Sequence, residues 1–358
     1  MTDRLEGRRA RAWANVVAAV PEATALLVTS LINVRYLTGF TGSNGILLLA
    51  PDAVLLGTDG RYVTQAGTEC PGLPLLIDRE TLPAVAHAAA QRGGPLAIEA
   101  EHLSVAGLRT LLETVPDLRE TSGLVEECRI VKDIDEMALI AEACRISDEA
   151  LADVLPTIRA GETERAIARR LEAAMYARGA DALSFETIVG GGPHSAIPHH
   201  TPTDRPLATG DLLVIDFGAE RAGYHADETR TFVIGAPADW QVDLHALVLA
   251  AQEAGRLAAT AGADLVEVDW AARGVIDAAG RGAEFGHGLG HGVGLQIHEA
   301  PFFSTRAKGM LLRGSPVTIE PGVYLPERGG VRIEDTVSVT EGACIPLTTT
   351  DRGLLVLG

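Results

Sequence analysis

At 358 residues and 47% hydrophobic composition, the chain has room for two domains with a sizeable core, which excludes a disordered protein. Its net charge of −18 argues against nucleic acid or an anionic membrane surface as a partner. Four cysteines (Cys70, Cys128, Cys144 and Cys344) lie far apart with no C-x-x-C pair. They suit reduced cytoplasmic thiols better than a disulfide framework or a zinc ribbon.

The N-terminus, MTDRLEGRRARAWANVV, carries charge but no apolar stretch of signal-peptide length. No run approaches the roughly 18 apolar residues that span a bilayer, so the expectation is a soluble, cytoplasmic protein. From Leu26 to Gln65 the chain reads as strand and turn. Leu26 to Thr29 and Ile46 to Leu49 are short apolar runs bounded by Gly, Asn and Ser, and Pro51-Asp52 marks a turn. Alanine-rich stretches at 81–92 and 104–114 predict helices, giving an alternating first region that ends near Gly123. The expected domains are 1–125 and 126–358.

Two helical patterns follow, at 134–158 and 162–177, then the polar stretch VGGGPHSAIPHHTPTDRPLATGD, then strands. Two more, at 242–260 and 268–279, again lead into strands, from 281 to 347. A helix pair followed by strands thus occurs twice, which points to a duplicated half-domain.

In DLLVIDFGAERAGYHADETRTFVIG two strand-like runs flank Arg221-Ala222, with Gly223 supplying turn freedom. If Arg221-Ala222 is the loop, Glu220 pairs with Gly223 and Asp216 faces Asp227, about 5 Å apart at Cβ. Asp216 interrupts the apolar run from Leu212 to Phe217, where an unpaired carboxylate is costly. A cation between the two acids removes the cost, whereas a solvated face with two unrelated aspartates would not explain the interruption. In VTIEPGVYLPERGGVRIEDTVSV, Glu320 ends one β-like run and Glu334 lies inside another, sharing a face with Arg332. Taken alone, Arg332 and Glu334 read as an ordinary surface pair.

FGHGLGHGVGLQIHE sets His287, His291 and His298 among five glycines. The glycine spacing is not G-x-G-x-x-G, and the i, i+4 histidines lack both a helix-forming context and an intervening Glu. Backbone proximity is the remaining explanation. Glycines let a strand approach other atoms closely while His291 and His298 line a site with the carboxylates. Two Asp, two Glu and one His carry four negative charges, which two divalent cations and a bridging hydroxide bring near neutrality. Oxygen-rich ligation with one imidazole suits Mn²⁺ or Co²⁺, or a catalytic Zn²⁺ pair. Paired metals about 3.5–4 Å apart generate hydroxide near neutral pH and polarise a carbonyl, and peptide hydrolysis is one natural use.

The ordered set SFETIVGGGPHSAIPHH, VIDFGAERAGYHADETRTF, HGLGHGVGLQIHEAP, TIEPGVYLP and GGVRIEDT resembles the pita-bread metallopeptidases, in their Xaa-Pro dipeptidase (prolidase) and Xaa-Pro aminopeptidase branch. SLINVRYLTGFTGSNGILLL and TDGRYVTQA resemble that family's N-terminal domain, so the likeness covers nearly the whole chain. The resemblance implies an α/β (α+β) protein. Its N-terminal creatinase/prolidase-like domain carries a mixed sheet, and its C-terminal pita-bread domain has two halves around a curved antiparallel sheet. It implies metal ligands Asp216, Asp227, His291, Glu320 and Glu334, with Asp227 and Glu334 shared by two ions, Mn²⁺ first and Co²⁺ or Zn²⁺ possible. It places His199 and His298 beside the substrate, His287 on the same pocket, and Arg332 as a support for Glu334. The implied reaction is attack by a metal-bridging hydroxide on the carbonyl before proline, with Glu320 as proton acceptor, in a homodimer acting on short proline-containing peptides.

Creatinases, which work without metal, and relatives that only bind peptides both predict loss of ligands, and all five ligand types stand here. Methionine aminopeptidases usually lack such an N-terminal domain. Between dipeptidase and aminopeptidase, a dipeptidase must hold a carboxylate directly after proline. PFFSTRAKGMLLRGSPVTIEPG offers Arg306, Lys308 and Arg313 for this, and Arg306 lies where prolidases resemble this chain in carrying a carboxylate-binding Arg. The dipeptidase is preferred because the chain is compact, and the aminopeptidase remains the alternative.

Overall fold

A computed structural model describes residues 2–358 and divides the chain into two compact units, one ending at Arg129 and the other running from Ile130 to Gly358. The expected division after residue 125 falls just before helix α6 (Glu126–Ile130), which crosses the observed boundary. All four cysteines are free and buried, and among the described residues no helix is long and apolar enough to cross a membrane.

The first unit is a mixed six-stranded sheet flanked by helices. Residues 2–19, read above only as charged, form α1 (Thr2–Ala19), which buries Ala12 and Val16. Then come β1 (Ala25–Val28), α2 (Leu31–Thr38), β2 (Ile46–Leu49), β3 (Val54–Thr58), α3 (Val63–Glu69), β4 (Leu75–Ile77), α4 (Thr81–Arg92), β5 (Leu96–Glu99), α5 (Val105–Leu112) and β6 (Leu118–Thr121). The sheet order is β4-β3-β2-β1-β5-β6; β2 is antiparallel to β1 and β3, and the other pairs are parallel. Helices α2 and α3 correct the strand-and-turn reading of 26–65. Helix α2 is short but tertiary contacts fix it: Val34, Tyr36 and Leu37 are buried, and Arg8 donates to the Tyr36 carbonyl at 3.2 Å. Gly39, at φ 83°, ends it in the left-handed conformation that glycine tolerates best.

In the second unit the helix-pair-then-strands pattern does occur twice. Helix α7 (Ile134–Val154) opens on a capping box between Asp133 and Glu136, and Pro156 ends the helical run in a 3₁₀ turn. Helix α8 (Glu164–Ala177) pairs with it and leads to β7 (Ala182–Leu183), β8 (Ile188–Gly191), β9 (Leu212–Phe217), β10 (Ala219–Arg221), β11 (Tyr224–His225) and β12 (Glu228–Ile234). Helices α9 (Asp239–Ala258) and α10 (Leu265–Ala278) then lead to β13 (Gly290–Gly292), β14 (Glu299–Phe303), β15 (Pro316–Ile319), β16 (Gly322–Leu325), β17 (Gly329–Arg332), β18 (Asp335–Ser338), β19 (Ile345–Pro346) and β20 (Val356–Leu357). Each helix pair packs on its own strands. Ile146, Leu151, Ile167 and Leu171 meet Leu213, Ile215 and Phe232, while Val248, Val268 and Ile276 meet Val317, Ile319 and Val337.

The two main sheets have orders β20-β12-β9-β8 and β14-β13-β15-β18-β19, and β16 and β17 form a separate ribbon. They meet where β12 runs beside residues 332–334. Thr231 exchanges two hydrogen bonds with the Arg332 backbone, and the Glu334 N–H donates to the Thr229 carbonyl at 3.0 Å. This seam carries the acids singled out in the sequence.

The hairpin register differs from the expected one. Arg221 pairs with Tyr224 and Asp216 pairs with Thr229, so the loop is Ala222-Gly223 and Asp227 is not directly opposite Asp216. The cause is turn chemistry. Ala222 and Gly223 both have positive φ, 48° and 81°, the primed turn that matches strand twist and wants glycine at its second central position. Because the slip is two residues, Asp227 keeps the same face and becomes a diagonal neighbour of Asp216.

The glycine-rich stretch does approach other backbone closely. A Cβ at Gly288, Gly290 or Gly292 would overlap the carbonyl of Phe303, Thr318 or Ala300 respectively. Overpacking of this kind costs about 1–3 kcal/mol where backbone must shift. Gly290→Ala is therefore expected to lower the urea midpoint clearly, and a variant that unfolds like the wild type would show that the tight approach is dispensable.

Candidate metal centre

Strand ends and breaks aim the acids into one space. Asp216 lies near the end of β9, Asp227 in the break between β11 and β12, Glu320 just after β15, and Glu334 between β17 and β18 rather than inside a strand as expected. His291 sits in β13 at a register shift against β14, where a bulge re-aims the side chain. Ligand atoms of Asp216, Asp227 and Glu334 lie within 4.8 Å of one another, as do those of His291, Glu320 and Glu334, and of Asp227, His291 and His298. His291 Nε2 stands 3.4 Å from both Asp227 Oδ2 and Glu320 Oε1.

The cluster is electrostatically expensive as it stands. Burial raises Asp227 to about 6 and Glu320 to about 7, in both cases against the pull of His291. Burial, then the charges of Asp227 and Glu320, pushes Glu334 well above the usual carboxylate range. For His291, burial works downward, but its contact with Asp227 and the charge of Glu320 outweigh it and raise it to about 9. Asp216 Oδ1 and Glu334 Oε1 are buried and accept no hydrogen bond from the described residues. Hard oxygen donors, one imidazole and two orphaned carboxylate oxygens fit divalent cations, which reverse the sign of the local electrostatics.

Around this cluster the structure adds contacts that spacing did not show. Arg332 Nη2 donates to Asp216 Oδ2 at 2.6 Å, and Nε donates to Thr229 Oγ1, which in turn donates to Glu334 Oε2 at 2.6 Å. Arg332, expected to support Glu334, thus binds Asp216 directly and reaches Glu334 through Thr229. Behind the acids, buried Arg230 donates to the Glu334 carbonyl and to Asp335 Oδ1. Thr318 Oγ1 accepts from the His291 N–H and donates to Glu320 Oε1.

The cluster faces a cavity of about 570 Å³, within the range of small-molecule sites. His199, His287 and His298 line it, together with Phe185, Ile188 and Phe302. His298 meets His291 edge to face at 4.4 Å, and burial, then the neighbouring His291, lowers it to about 4. Burial likewise lowers His287 to about 4; its Nδ1 donates to the Gly288 carbonyl, so its Nε2 accepts from the Tyr324 hydroxyl, whose oxygen accepts from Arg332. Arg306 is not brought to the cavity. It is exposed, two residues beyond Ser304, which does line it.

Residues 138–341 match metallopeptidase family M24, and residues 18–131 match the creatinase/prolidase N-terminal domain. The chain belongs to metallopeptidase family M24. A Xaa-Pro dipeptidase from Pyrococcus furiosus is 42% identical over 241 residues, 67% of this chain and 69% of that protein. A solved Xaa-Pro dipeptidase from Bacillus anthracis superposes with a TM-score of 0.95 at 34% identity, over 99% of this chain and all of that one. An X-Pro aminopeptidase from Thermotoga maritima superposes with a TM-score of 0.87 at 35% identity, covering 95% and 99%. This M24 peptidase is therefore an enzyme that uses divalent metal, in the two-domain fold that the sequence resemblance implied.

Proposed function

We propose that this M24 peptidase hydrolyses the Xaa-Pro bond of dipeptides, using two divalent ions, Mn²⁺ foremost, held by Asp216, Asp227, His291, Glu320 and Glu334. The observation that carries this reading is the convergence of four acids and His291 on one cavity, within overlapping ligand clusters. Bound there, such ions supply a water that is nucleophilic near neutral pH and polarise the carbonyl before proline. The chain's own groups do the rest. Glu320 takes up the proton shed by the attacking water and returns it to the leaving imino nitrogen. His298 and His199 donate hydrogen bonds as charge grows on the carbonyl oxygen. Arg332 holds Asp216 in place, and the apolar faces of Phe185, Ile188 and Phe302 receive the proline ring.

Length selectivity rests on Arg306, whose exposed loop must bring its guanidinium to the mouth to hold a carboxylate after proline. A second reading, an aminopeptidase for longer peptides, draws support from the lining. Among the described lining residues the one arginine, Arg332, is already paired with Asp216, and Glu186 adds a negative charge. Hydrolysis of Ala-Pro beside Ala-Pro-Ala with added Mn²⁺ separates the two. The dipeptidase reading expects faster turnover of Ala-Pro, and an Arg306→Ala variant whose KM rises several-fold for Ala-Pro but little for Ala-Pro-Ala. Preference for the tripeptide, or equal effects of the variant on both, assigns the protein to the aminopeptidases.

A further inference from the structure

The loop that carries His199 to the cavity, from Gly191 to Thr203, has little regular structure beyond one short 3₁₀ turn at Gly192–Ala196. A single buried carboxylate at the start of α8, outside the cavity lining, holds it. Glu164 Oε1 accepts from the Gly191 N–H at 2.9 Å and from His194 Nδ1 at 2.8 Å. Its Oε2 accepts from His200 Nε2 at 2.9 Å, the Thr203 N–H at 3.0 Å and Thr203 Oγ1 at 2.7 Å. The Glu164 side chain is wholly buried, and the His194 and His200 rings stack beside it with centroids 4.3 Å apart.

Glu164, His194 and His200 together could be taken for a second metal site, since their ligand atoms also lie within 4.8 Å. The hydrogen bonds argue otherwise. Five donors, two of them backbone N–H groups and one a hydroxyl, already occupy the lone pairs of both Glu164 oxygens, so the carboxylate is satisfied without a cation. The arrangement is an anchor. On the other side of His199, Arg332 Nη1 donates to the Pro198 carbonyl at 3.3 Å, so both chain neighbours of His199 are tied down while its own ring faces the cavity. Ser195 Oγ adds a tie by accepting from the Gly330 N–H at 2.9 Å.

We propose that Glu164 is a positioning residue for the reaction: through Gly191, His194, His200 and Thr203 it fixes the loop that sets His199 against the substrate. This rests on the reading above in which His199 touches the substrate. An amide cannot replace the carboxylate, because its NH₂ would face donors where Oε now accepts. Misplacement of a reacting group by about 1 Å costs up to about 10²-fold in rate.

The test is a double-mutant cycle on Ala-Pro hydrolysis, with bound metal and melting temperature measured for every variant. Glu164→Gln is expected to lower kcat by about 10- to 100-fold with metal content unchanged. In the His199→Ala background the same change should cost less than about twofold, because the group it positions is gone. Thr203→Val, which removes one donor to Oε2, should give a smaller loss with the same dependence on His199, and it carries the test if Glu164→Gln is insoluble. Losses that multiply independently of His199, or a variant with lowered melting temperature and wild-type kcat, would overturn the positioning role. If His199→Ala alone keeps wild-type kcat while Glu164→Gln does not, the role given to His199 fails and this proposal falls with it. A normal Glu164→Gln enzyme beside an impaired His199→Ala enzyme overturns the positioning proposal alone.

Discussion

Asp227→Asn and Glu334→Gln are each expected to abolish hydrolysis and to lower bound divalent metal while leaving the fold intact. These are the two acids that each belong to two of the site's overlapping clusters, as His291 also does. Asp227 groups with Asp216 and Glu334 on one side and with His291 and His298 on the other, and Glu334 joins Asp216 and Asp227 to His291 and Glu320. Losing either oxygen donor set therefore disturbs both proposed ion positions, whereas losing a peripheral ligand disturbs one. The fold should survive because the electrostatics run in its favour. Both carboxylates are held above their ordinary pKa by burial first, with the charge of Asp216 adding to the rise at Asp227 and that of Asp227 to the rise at Glu334, so a neutral amide removes a repulsion from the metal-free protein. The cost appears on the metal side. A ligand that binds only the folded state stabilises it by mass action, so chelation should lower the melting temperature of the wild type and leave that of the variants nearly unchanged. Elemental analysis, turnover and melting with and without chelator check the three statements. A variant with near wild-type turnover and full metal content would remove that acid from the ligand set.

What could be read from the chain, and what could not, follows from the range of each interaction. The alternation of β9 and β12 is local, so the side chains sharing a face with Asp216 were legible even though the turn was placed one residue early. A slip of two preserves the face and changes only the opposite neighbour, from Asp227 to Thr229. That difference hid Thr229, whose hydroxyl joins Arg332 to Glu334 across 103 and 105 positions of sequence. The glycines around His291 were legible as backbone contact because close approach is what a run of five glycines at alternate positions provides. Their partners, the carbonyls of Phe303, Thr318 and Ala300, were not. Glu164 was invisible for the same reason: at the start of a helical pattern it reads as an acid complementing the helix N-terminus, and its five donors come from a loop 27 to 39 residues on. Helix α2 was missed because eight mostly apolar residues read equally well as strand, and α1 because Arg8, which meets Tyr36 of α2, is charged. The guanidinium lies 4.4 Å from the centre of the Tyr36 ring and is buried with it, a packing role that composition scores as surface.

His298→Ala is expected to lower kcat by about 10² or more while metal content stays at the wild-type level. His298 is the ambiguous member of the site. Its ring nitrogens lie within 4.8 Å of ligand atoms on Asp227 and His291, so distance alone would allow it to be a ligand. Its surroundings favour a donor. The ring meets His291 edge to face and stays open to the cavity, just before β14, whereas His291 is enclosed between Asp227 and Glu320. Burial and the neighbouring imidazoles hold His298 neutral at working pH, so it brings one N–H and no charge of its own. A single neutral donor aimed where negative charge develops is worth about 2.7–4 kcal/mol at the transition state, which sets the expected loss. The ground-state carbonyl is a weaker acceptor, so KM should move little. Three measurements on one variant then separate the roles. Loss of metal would make His298 a ligand, and a raised KM with unchanged kcat would make it a binding group. His298→Gln, which keeps an N–H, should recover part of the lost turnover if the donor role is correct, and no recovery together with full metal content would leave the ring's shape, not its hydrogen bond, as what the reaction needs.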